Sequence, residues 1–196
     1  MYPIIVNTPL ILASTSPRRK ELLRQIGLDF TVDPADVDEH VLPGESPEAY
    51  AIRVALAKAR VAAGRAGSGI VIAADTIVVV DGAILGKPVD AEDARRMLTA
   101  LSGRQHEVVT GLAVVDAASE KYVTRISITK VWFRDLTERE IASYVATGEP
   151  LDKAGAYGIQ ERGALLVESI EGCYSNVVGL PLSLLGEMLR AFGVSL

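Results

Sequence analysis

A turn rich in hydroxyl groups and arginines, near the start of the 196-residue chain, is the first feature that could do chemistry. The sequence STSPRR (14–19) begins at Ser14, contains Arg18 and Arg19, and follows an apolar segment. Free backbone N–H groups at a helix start favour phosphate, hydroxyl groups add donors, and arginine can bind two phosphate oxygens at once. The turn therefore indicates an anion site. An ordinary capped helix with solvated arginines would show the same pattern, and no GxxxxGK[ST] sequence supports a P-loop.

A second candidate is Asp75, which ends the apolar sequence IVIAAD (70–75) and precedes Thr76. We interpret this sequence as a buried strand, so the carboxylate would lie at the carboxyl end of that strand, where open α/β sheets bind ligands. A charge at such a place needs a partner, because an unpaired buried charge is costly. A metal ion, a lysine or a water molecule held for attack would serve. The alternative is an acid that merely caps a turn.

Three other residues are weak candidates when each is taken alone, and a further candidate lies in a loop. Glu39 lies in an acidic segment (33–45), Lys58 lies inside a predicted helix, and Lys87 lies in the sequence LGKP. Their ordinary alternatives are a solvated acid, a surface lysine and a turn lysine. Gln160 ends the loop-like sequence DKAGAYGIQ, and its amide could read the donors and acceptors of a planar base. A plain loop would not need this side chain.

Composition excludes several classes of partner. The chain has 20 basic and 25 acidic residues, a net charge of −5 and 5% aromatic residues, which argues against a broad nucleic-acid surface. No apolar run approaches the roughly 18 residues that a membrane helix needs, and the first residues lack the basic start of a signal peptide. The single cysteine, Cys173, cannot form a disulfide within the chain. We therefore expect a cytoplasmic protein that binds neither membrane nor nucleic acid.

Capping residues and apolar periodicity predict the elements that would position these side chains. The first half of the chain is expected to form a strand at 10–13, a helix between Ser16 and Gly27, a strand at 30–32, a helix from Ser46 to about Ala63, and strands at 70–74 and 77–80. The second half is expected to form a hairpin turn at Asp81-Gly82, a helix from Asp90 to about Leu101, antiparallel strands at 106–115 and 122–133, a helix capped by Thr137 and Glu140 and ending near Ala146, a strand at 165–167, and a terminal helix from Pro181.

These elements predict an α/β fold in which helices flank a mixed central sheet. The chain has no linker, repeat or low-complexity segment, so we expect one domain over 1–196, built as two lobes with a cleft between them. An exposed sheet edge would permit a homodimer.

The histidines and the cysteine are interpreted as structural residues. His40 and His106 are far apart in the sequence and lack the spacing of metal ligands, so each is expected to be a surface residue or a satisfied polar residue. Cys173, in EGCYSN, has no histidine signature nearby. We expect it to be a small buried residue rather than a catalytic thiol.

Several motifs, in one order across nearly the whole chain, resemble the Maf family. They are LILASTSPRRKELL, Glu39, Lys58 in a helix, AADTIV, LGKP, LSGRQHEVVT, GEPLDKAGAYGIQ and GCYSNVVGLPL. The resemblance implies a cytoplasmic nucleoside triphosphate pyrophosphatase that uses a divalent metal cation, Mg²⁺ or Mn²⁺. It also implies a two-lobed α/β architecture similar to that of inosine triphosphate pyrophosphatases.

The resemblance also assigns roles to single residues. Asp75 matches the proton acceptor of the family, and the conserved polar site is matched by Ser14, Arg19, Glu39, Lys58 and Lys87. The sequence DKAGAYGIQ is similar to the branch that acts on dTTP and UTP, whose substrate choice is set at positions matched by Arg18, Thr76 and Gln160. One departure is Glu161, where this branch often has glycine.

The implied reaction is hydrolysis of dTTP or UTP, or of a modified pyrimidine nucleotide, between the α and β phosphates, as house-cleaning of nucleotide pools. Cationic side chains would hold the triphosphate, and Asp75 would accept a proton from the attacking water. Either Glu39 or Asp75 could bind the metal, and the metal ligands stay open. Two alternatives remain: a 7-methyl-GTP pyrophosphatase, whose branch has a cysteine- and serine-bearing sequence in place of DKAGAYGIQ, and a non-catalytic nucleotide-binding regulator. A regulator would not need the general base.

Overall fold

A computed structural model describes residues 8–194, which divide into two compact units. The first unit contains the described residues up to Asp75, Thr110–Ser127, and the described residues from Gly179 onward. The second contains Thr76–Val109 and Ile128–Val178. A single domain with a cleft between two lobes stays a prediction.

Within residues 8–194, seven strands form one mixed sheet in the order β2-β1-β3-β5-β6-β7, with β4 paired to β3. The strands are β1 (Leu10–Leu12), β2 (Thr31–Val32), β3 (Ile70–Val80), β4 (Ala83–Leu85), β5 (Gln105–Asp116), β6 (Tyr122–Phe133) and β7 (Val167–Glu171). Strand β1 is parallel to β2 and β3, whereas β4 is antiparallel to β3 and β7 is antiparallel to β6. The expected mixed sheet is confirmed.

Helices begin where the sequence supplies capping residues. The described helices are α1 (Pro17–Gln25), α2 (Pro47–Ala66), α3 (Ala91–Leu101), α4 (Glu138–Val145), α5 (Tyr174–Val178) and α6 (Leu182–Arg190). Ser16, Ser46 and Asp90 each accept a bond from a backbone N–H of the first turn, and Thr137 and Glu140 form the expected capping box. None of these helices is both long enough and apolar enough to cross a membrane.

The first unit packs α2 very closely against its strands. The buried side of α2 consists largely of alanines, which lie in one core cluster with Val71 and Ala73 of β3. Gly111 of β5 faces α2 so closely that a Cβ there would collide with the backbone of Ala51 and lie 2.6 Å from Ile52 N. Small residues on both sides therefore fix the distance of α2 from the sheet.

The second unit has a separate, larger-residue core. It gathers side chains of α3, α4 and the adjoining strands, among them Leu98, Phe133 and Tyr144. The rings of Phe133, Tyr157 and His106 meet edge to face, with centroids 4.7 to 5.3 Å apart. The segment that ends at Gln160 is thus anchored in this core through Tyr157.

Two strand predictions were wrong. The runs 70–74 and 77–80 are one continuous strand, so Asp75 and Thr76 lie inside β3 instead of following a strand end. The predicted strand at 165–167 begins only at Val167, because residues 161–166 form a 3₁₀ turn. In that turn the Gly163 N–H is bound by the Glu149 carboxylate, 3.1 Å away, instead of by a neighbouring strand.

Candidate active site

One ammonium group joins two carboxylates in the first unit. Lys58 Nζ lies 2.7 Å from Asp75 Oδ1 and 2.7 Å from Glu39 Oε1. These two carboxylate oxygens are therefore separated by no more than twice that distance. The side chains of Lys58 and Asp75 are 13% and 10% exposed, whereas that of Glu39 is 51% exposed. The cluster is therefore buried on one side and open to solvent on the other.

The surrounding elements explain how a charge can lie inside β3. Every residue of β3 except Thr76 is buried, and an unpaired carboxylate there would be costly. Lys58 lies on α2, among the alanines that bring this helix close to the sheet, and its side chain reaches the carboxylate. The ion pair explains why the strand continues through an acidic residue, which the sequence pattern alone did not reveal.

The start of α1 supplies a second polar group in the same unit. The Ser14 hydroxyl accepts bonds from Ser16 N and from Arg19 Nη1, each at 3.2 Å, and Arg19 Nε donates to the Gly179 carbonyl at 2.8 Å. Burial lowers the pKa of Arg19. The negative charge of Asp75 opposes this change, and the charge of Glu39 opposes it to a smaller extent. Neighbouring Arg18 lowers the pKa of Arg19 further. The guanidinium of Arg19 therefore interacts electrostatically with the group formed by Lys58, Asp75 and Glu39, termed the Lys58 cluster.

Three predicted site residues belong to the second unit. Thr76 follows Asp75 in β3, so its side chain points to the opposite face of the sheet. Lys87 is exposed after β4, and Gln160 is half-buried before the 3₁₀ turn. Within residues 8–194, neither Lys87 nor Gln160 makes a side-chain hydrogen bond or ion pair. Their polar groups are therefore available to a ligand.

Two residues that hold the Gln160 segment were missed by sequence reasoning. Glu149 Oε1 accepts bonds from the Tyr144 hydroxyl at 2.9 Å and from Gly163 N at 3.1 Å. The same hydroxyl accepts a bond from Gly158 N at 3.3 Å. Tyr144 and Glu149 thus fix the backbone on both sides of Gln160. Tyr144 resembled an ordinary core residue of a helix and Glu149 a solvated acid, so no local signal distinguished them.

The histidines and the cysteine have structural surroundings. His40 is exposed and lies 2.6 Å from an oxygen of Asp38, as expected for a surface residue. His106 is buried, its Nε2 lies 2.7 Å from the Tyr157 hydroxyl, and its Nδ1 has no hydrogen-bond partner among the described residues. Burial lowers the pKa of His106 to about 4. Cys173 is half-buried, with Sγ 3.2 Å from Ser175 Oγ.

The carboxylates of Glu39 and Asp75 suit a divalent cation that takes its other ligands from a phosphorylated compound and from water. No group of three or more His, Cys, Asp or Glu side chains within residues 8–194 could hold a metal ion. Glu39 and Asp75 nevertheless offer two carboxylates close together. Mg²⁺ and related hard ions are commonly bound by one or two carboxylates, with phosphate oxygens and water completing the shell. These residues therefore fit such an ion when a phosphorylated ligand is bound.

Together, the fold and the cluster define an α/β protein whose first unit combines a helix start, a half-buried arginine and a lysine-paired carboxylate, a combination that can bind phosphate and activate water. The chain belongs to the Maf family: the family model described as Maf-like protein matches residues 9–192.

Curated relatives match nearly the full chain. The dTTP/UTP pyrophosphatase of Anaeromyxobacter dehalogenans is 55% identical over 189 residues, which cover 95% of each chain. The protein of the same name from Geotalea uraniireducens is 53% identical over 184 residues, covering 94% of this chain and 95% of the relative. Among solved structures, a HAM1 protein from Coxiella burnetii has a TM-score of 0.48 at 17% identity, covering 64% of this chain and 73% of that one.

Proposed function

We propose that this protein is a nucleoside triphosphate pyrophosphatase that hydrolyses dTTP and UTP to the monophosphate and pyrophosphate. The observation that carries the proposal is the identity of 50 to 55% with proteins named dTTP/UTP pyrophosphatase over nearly the full chain. The Lys58 cluster supports it, because hydrolysis of a triphosphate needs both a base for water and cations for the growing negative charge.

Asp75 is the proposed general base. The ammonium group of Lys58, 2.7 Å from Asp75 Oδ1, fixes the position of the carboxylate that would accept the proton. In the reaction, one water molecule is added across the anhydride bond between the α and β phosphates. Its oxygen becomes bonded to phosphorus, the anhydride bond breaks, and Asp75 accepts the proton of the attacking water. The proton then leaves to solvent, which restores the base.

The cationic side chains are proposed to hold the triphosphate. Arg19 is fixed by the Gly179 carbonyl and the Ser14 hydroxyl, and lies in the first turn of α1, where the positive end of the helix dipole favours an anion. Arg18 and Lys87 are assigned to the same task, as the family resemblance implies. We assign Gln160 to the pyrimidine edge, and its free amide is consistent with this role.

A divalent cation, Mg²⁺ or Mn²⁺, is the proposed cofactor. When bound by Glu39, Asp75 or both, it would neutralise charge on the phosphate oxygens. The protein's own contribution is to keep the two carboxylates together through Lys58. We also propose a cytoplasmic location, supported by a single cysteine that cannot form an intrachain disulfide.

The deciding experiment is a panel of normal and modified nucleoside triphosphates, assayed with Mg²⁺ or Mn²⁺ for release of monophosphate and pyrophosphate. We expect dTTP and UTP to be preferred over purine nucleotides. Turnover of 7-methyl-GTP with neglect of dTTP would instead favour the 7-methyl-GTP enzyme. Tight binding of dTTP without product, with metal present, would favour a regulator.

The matched variant is Asp75→Asn. It should still fold, because Lys58 keeps its ion pair with Glu39, and it should still bind nucleotide. Turnover should fall by orders of magnitude. Pyrophosphate release near the wild-type rate would remove Asp75 from the mechanism.

A further inference from the structure

The segment 33–45, termed the acidic loop, carries Glu39 and contains no helix or strand. Its backbone is bonded at the two ends, from Asp33 N to Leu12 O at 3.1 Å and from Glu45 N to Leu42 O at 3.0 Å. A segment of this kind has no regular ladder to define its position. The location of the Glu39 carboxylate must therefore depend on side chains that bind the loop.

These side chains come from α2. The Tyr50 hydroxyl donates to the Glu39 carbonyl at 2.9 Å, and Arg53 Nη2 donates to the His40 carbonyl at 2.8 Å. At the other end of the helix, Arg65 donates to both carboxylate oxygens of Asp33, at 2.6 and 3.1 Å. The acidic loop is thus bound along the same helix that carries Lys58.

Arg53 makes the most specific of these contacts. Besides the His40 carbonyl, its Nε and Nη2 donate to the two carboxylate oxygens of Glu45, at 2.6 and 2.8 Å, and its guanidinium lies 5.4 Å from the centre of the Tyr50 ring. The Glu45 side chain is only 8% exposed, and these bonds lower the pKa of Glu45 to about 2. Only a planar guanidinium can make this two-point contact and bind a carbonyl as well.

We propose that Arg53 is a positioning residue, which together with Tyr50 and Glu45 holds the Glu39 carboxylate against Lys58. Arg53 is bonded to the residue after Glu39, and Tyr50 to Glu39 itself, so the backbone is fixed where the functional side chain leaves it. Glu39 is half exposed, and without these bonds its side chain would sample many conformations. A displacement of about 1 Å at a catalytic group can cost about 100-fold in rate.

The first test compares kcat and KM for UTP in a matched set of variants, which rests on the proposed function. Arg53→Met removes the guanidinium, Arg53→Lys keeps the charge without the planar geometry, and Tyr50→Phe removes one hydroxyl. The control is Arg96→Met, which breaks an exposed arginine–aspartate pair of the second unit. We expect Arg53→Met to lower kcat about 10-fold or more with a smaller change in KM. Arg53→Lys should recover little, Tyr50→Phe should lose less, and the control should match wild type.

A double-mutant cycle distinguishes positioning from a general loss of stability. If Arg53 acts through Glu39, adding Arg53→Met to Glu39→Gln should change kcat by less than about twofold. If the two effects multiply in full, the proposal is overturned. Urea unfolding of each variant shows whether it folds, and Tyr50→Phe repeats the cycle should Arg53→Met fail to fold.

A second readout needs neither substrate nor metal. A glutamyl endopeptidase, with products mapped by mass spectrometry, should cleave after Glu39 faster in Arg53→Met than in wild type, and Arg96→Met should match wild type. A lower kcat with unchanged cleavage would overturn the positioning role. Should the wild-type protein lack pyrophosphatase activity, the proposed function fails, while cleavage still decides whether Arg53 holds the loop.

Discussion

Replacing Glu161 by glycine should stabilise the protein, because this residue has a left-handed backbone conformation. Its φ angle is +55°, a region that residues with a Cβ rarely adopt. Glu161 directly follows Gln160, the proposed reader of the base. It is also the position at which the family resemblance would lead us to expect glycine. The substitution therefore tests whether the backbone conformation is needed or merely tolerated.

The magnitude follows from two opposing terms. The left-handed conformation costs a residue with a Cβ about 1–2 kcal/mol. Glycine, in turn, gains more freedom in the unfolded chain, which costs about 0.4–1 kcal/mol of stability. The net gain should be about 0.5–1 kcal/mol, or about 1–4 °C in Tm for a chain of this length.

The assay is urea unfolding of wild type, Glu161→Gly and Glu161→Ala. Unfolding is monitored with two spectroscopic probes, which should report the same single transition. Glu161→Ala is the matched control, because it removes the carboxylate but keeps the Cβ. We expect Glu161→Gly to raise the urea midpoint and Glu161→Ala to leave it nearly unchanged. Equal gains in both variants would assign the effect to the charge and refute the backbone argument, as would a loss of stability in Glu161→Gly.

Three other perturbations have defined outcomes. Lys58→Met should lower the free energy of unfolding in urea by about 3–5 kcal/mol, because Asp75 is left with an unpaired buried charge. The double variant Lys58→Met/Asp75→Asn should recover part of this loss, and an equal loss in both variants would contradict the reasoning. His106 has a folded pKa of about 4, below the ordinary 6.5, so the unfolded state binds more protons between these values. Stability should therefore fall by up to about 3 kcal/mol as pH drops from 6.5 to 4, and His106→Gln should flatten this window. Gly163→Ala places a Cβ against the Gly158 carbonyl, so the preference for UTP over purine triphosphates should fall several-fold, and an unchanged ratio would separate this backbone from selectivity.

Helix starts could be predicted because their signals are local. Ser16 and Ser46 each bind a backbone N–H three residues later, so the capping residue and its partner lie in one short sequence window. The hairpin at Asp81-Gly82 is likewise local, and both of its residues have positive φ angles. Patterns of this length hold the interaction that determines the structure.

The rest depends on contacts between distant parts of the chain. Asp75 was expected at a strand end because an acid inside a buried strand has no local explanation, and its partner Lys58 lies 17 residues away on a helix. Arg53 and Glu149 were likewise not distinguished from ordinary charged residues. The sequence resemblance named the residues of the Lys58 cluster as a set. It did not indicate which side chains hold them in place.

The close packing at Gly111, a residue without functional groups, determines where the polar side chains of α2 lie. Helix α2 carries Lys58 and the side chains that bind the acidic loop, and its distance from the sheet is limited by backbone contact at Gly111. One added methyl group there would have to move the whole helix, and all of these polar groups would move with it. Activity lost by substitution at Gly111 would result from a displaced helix, not from a lost contact with the substrate. A screen for inactive variants should therefore identify Gly111 although this residue has no role in the chemistry.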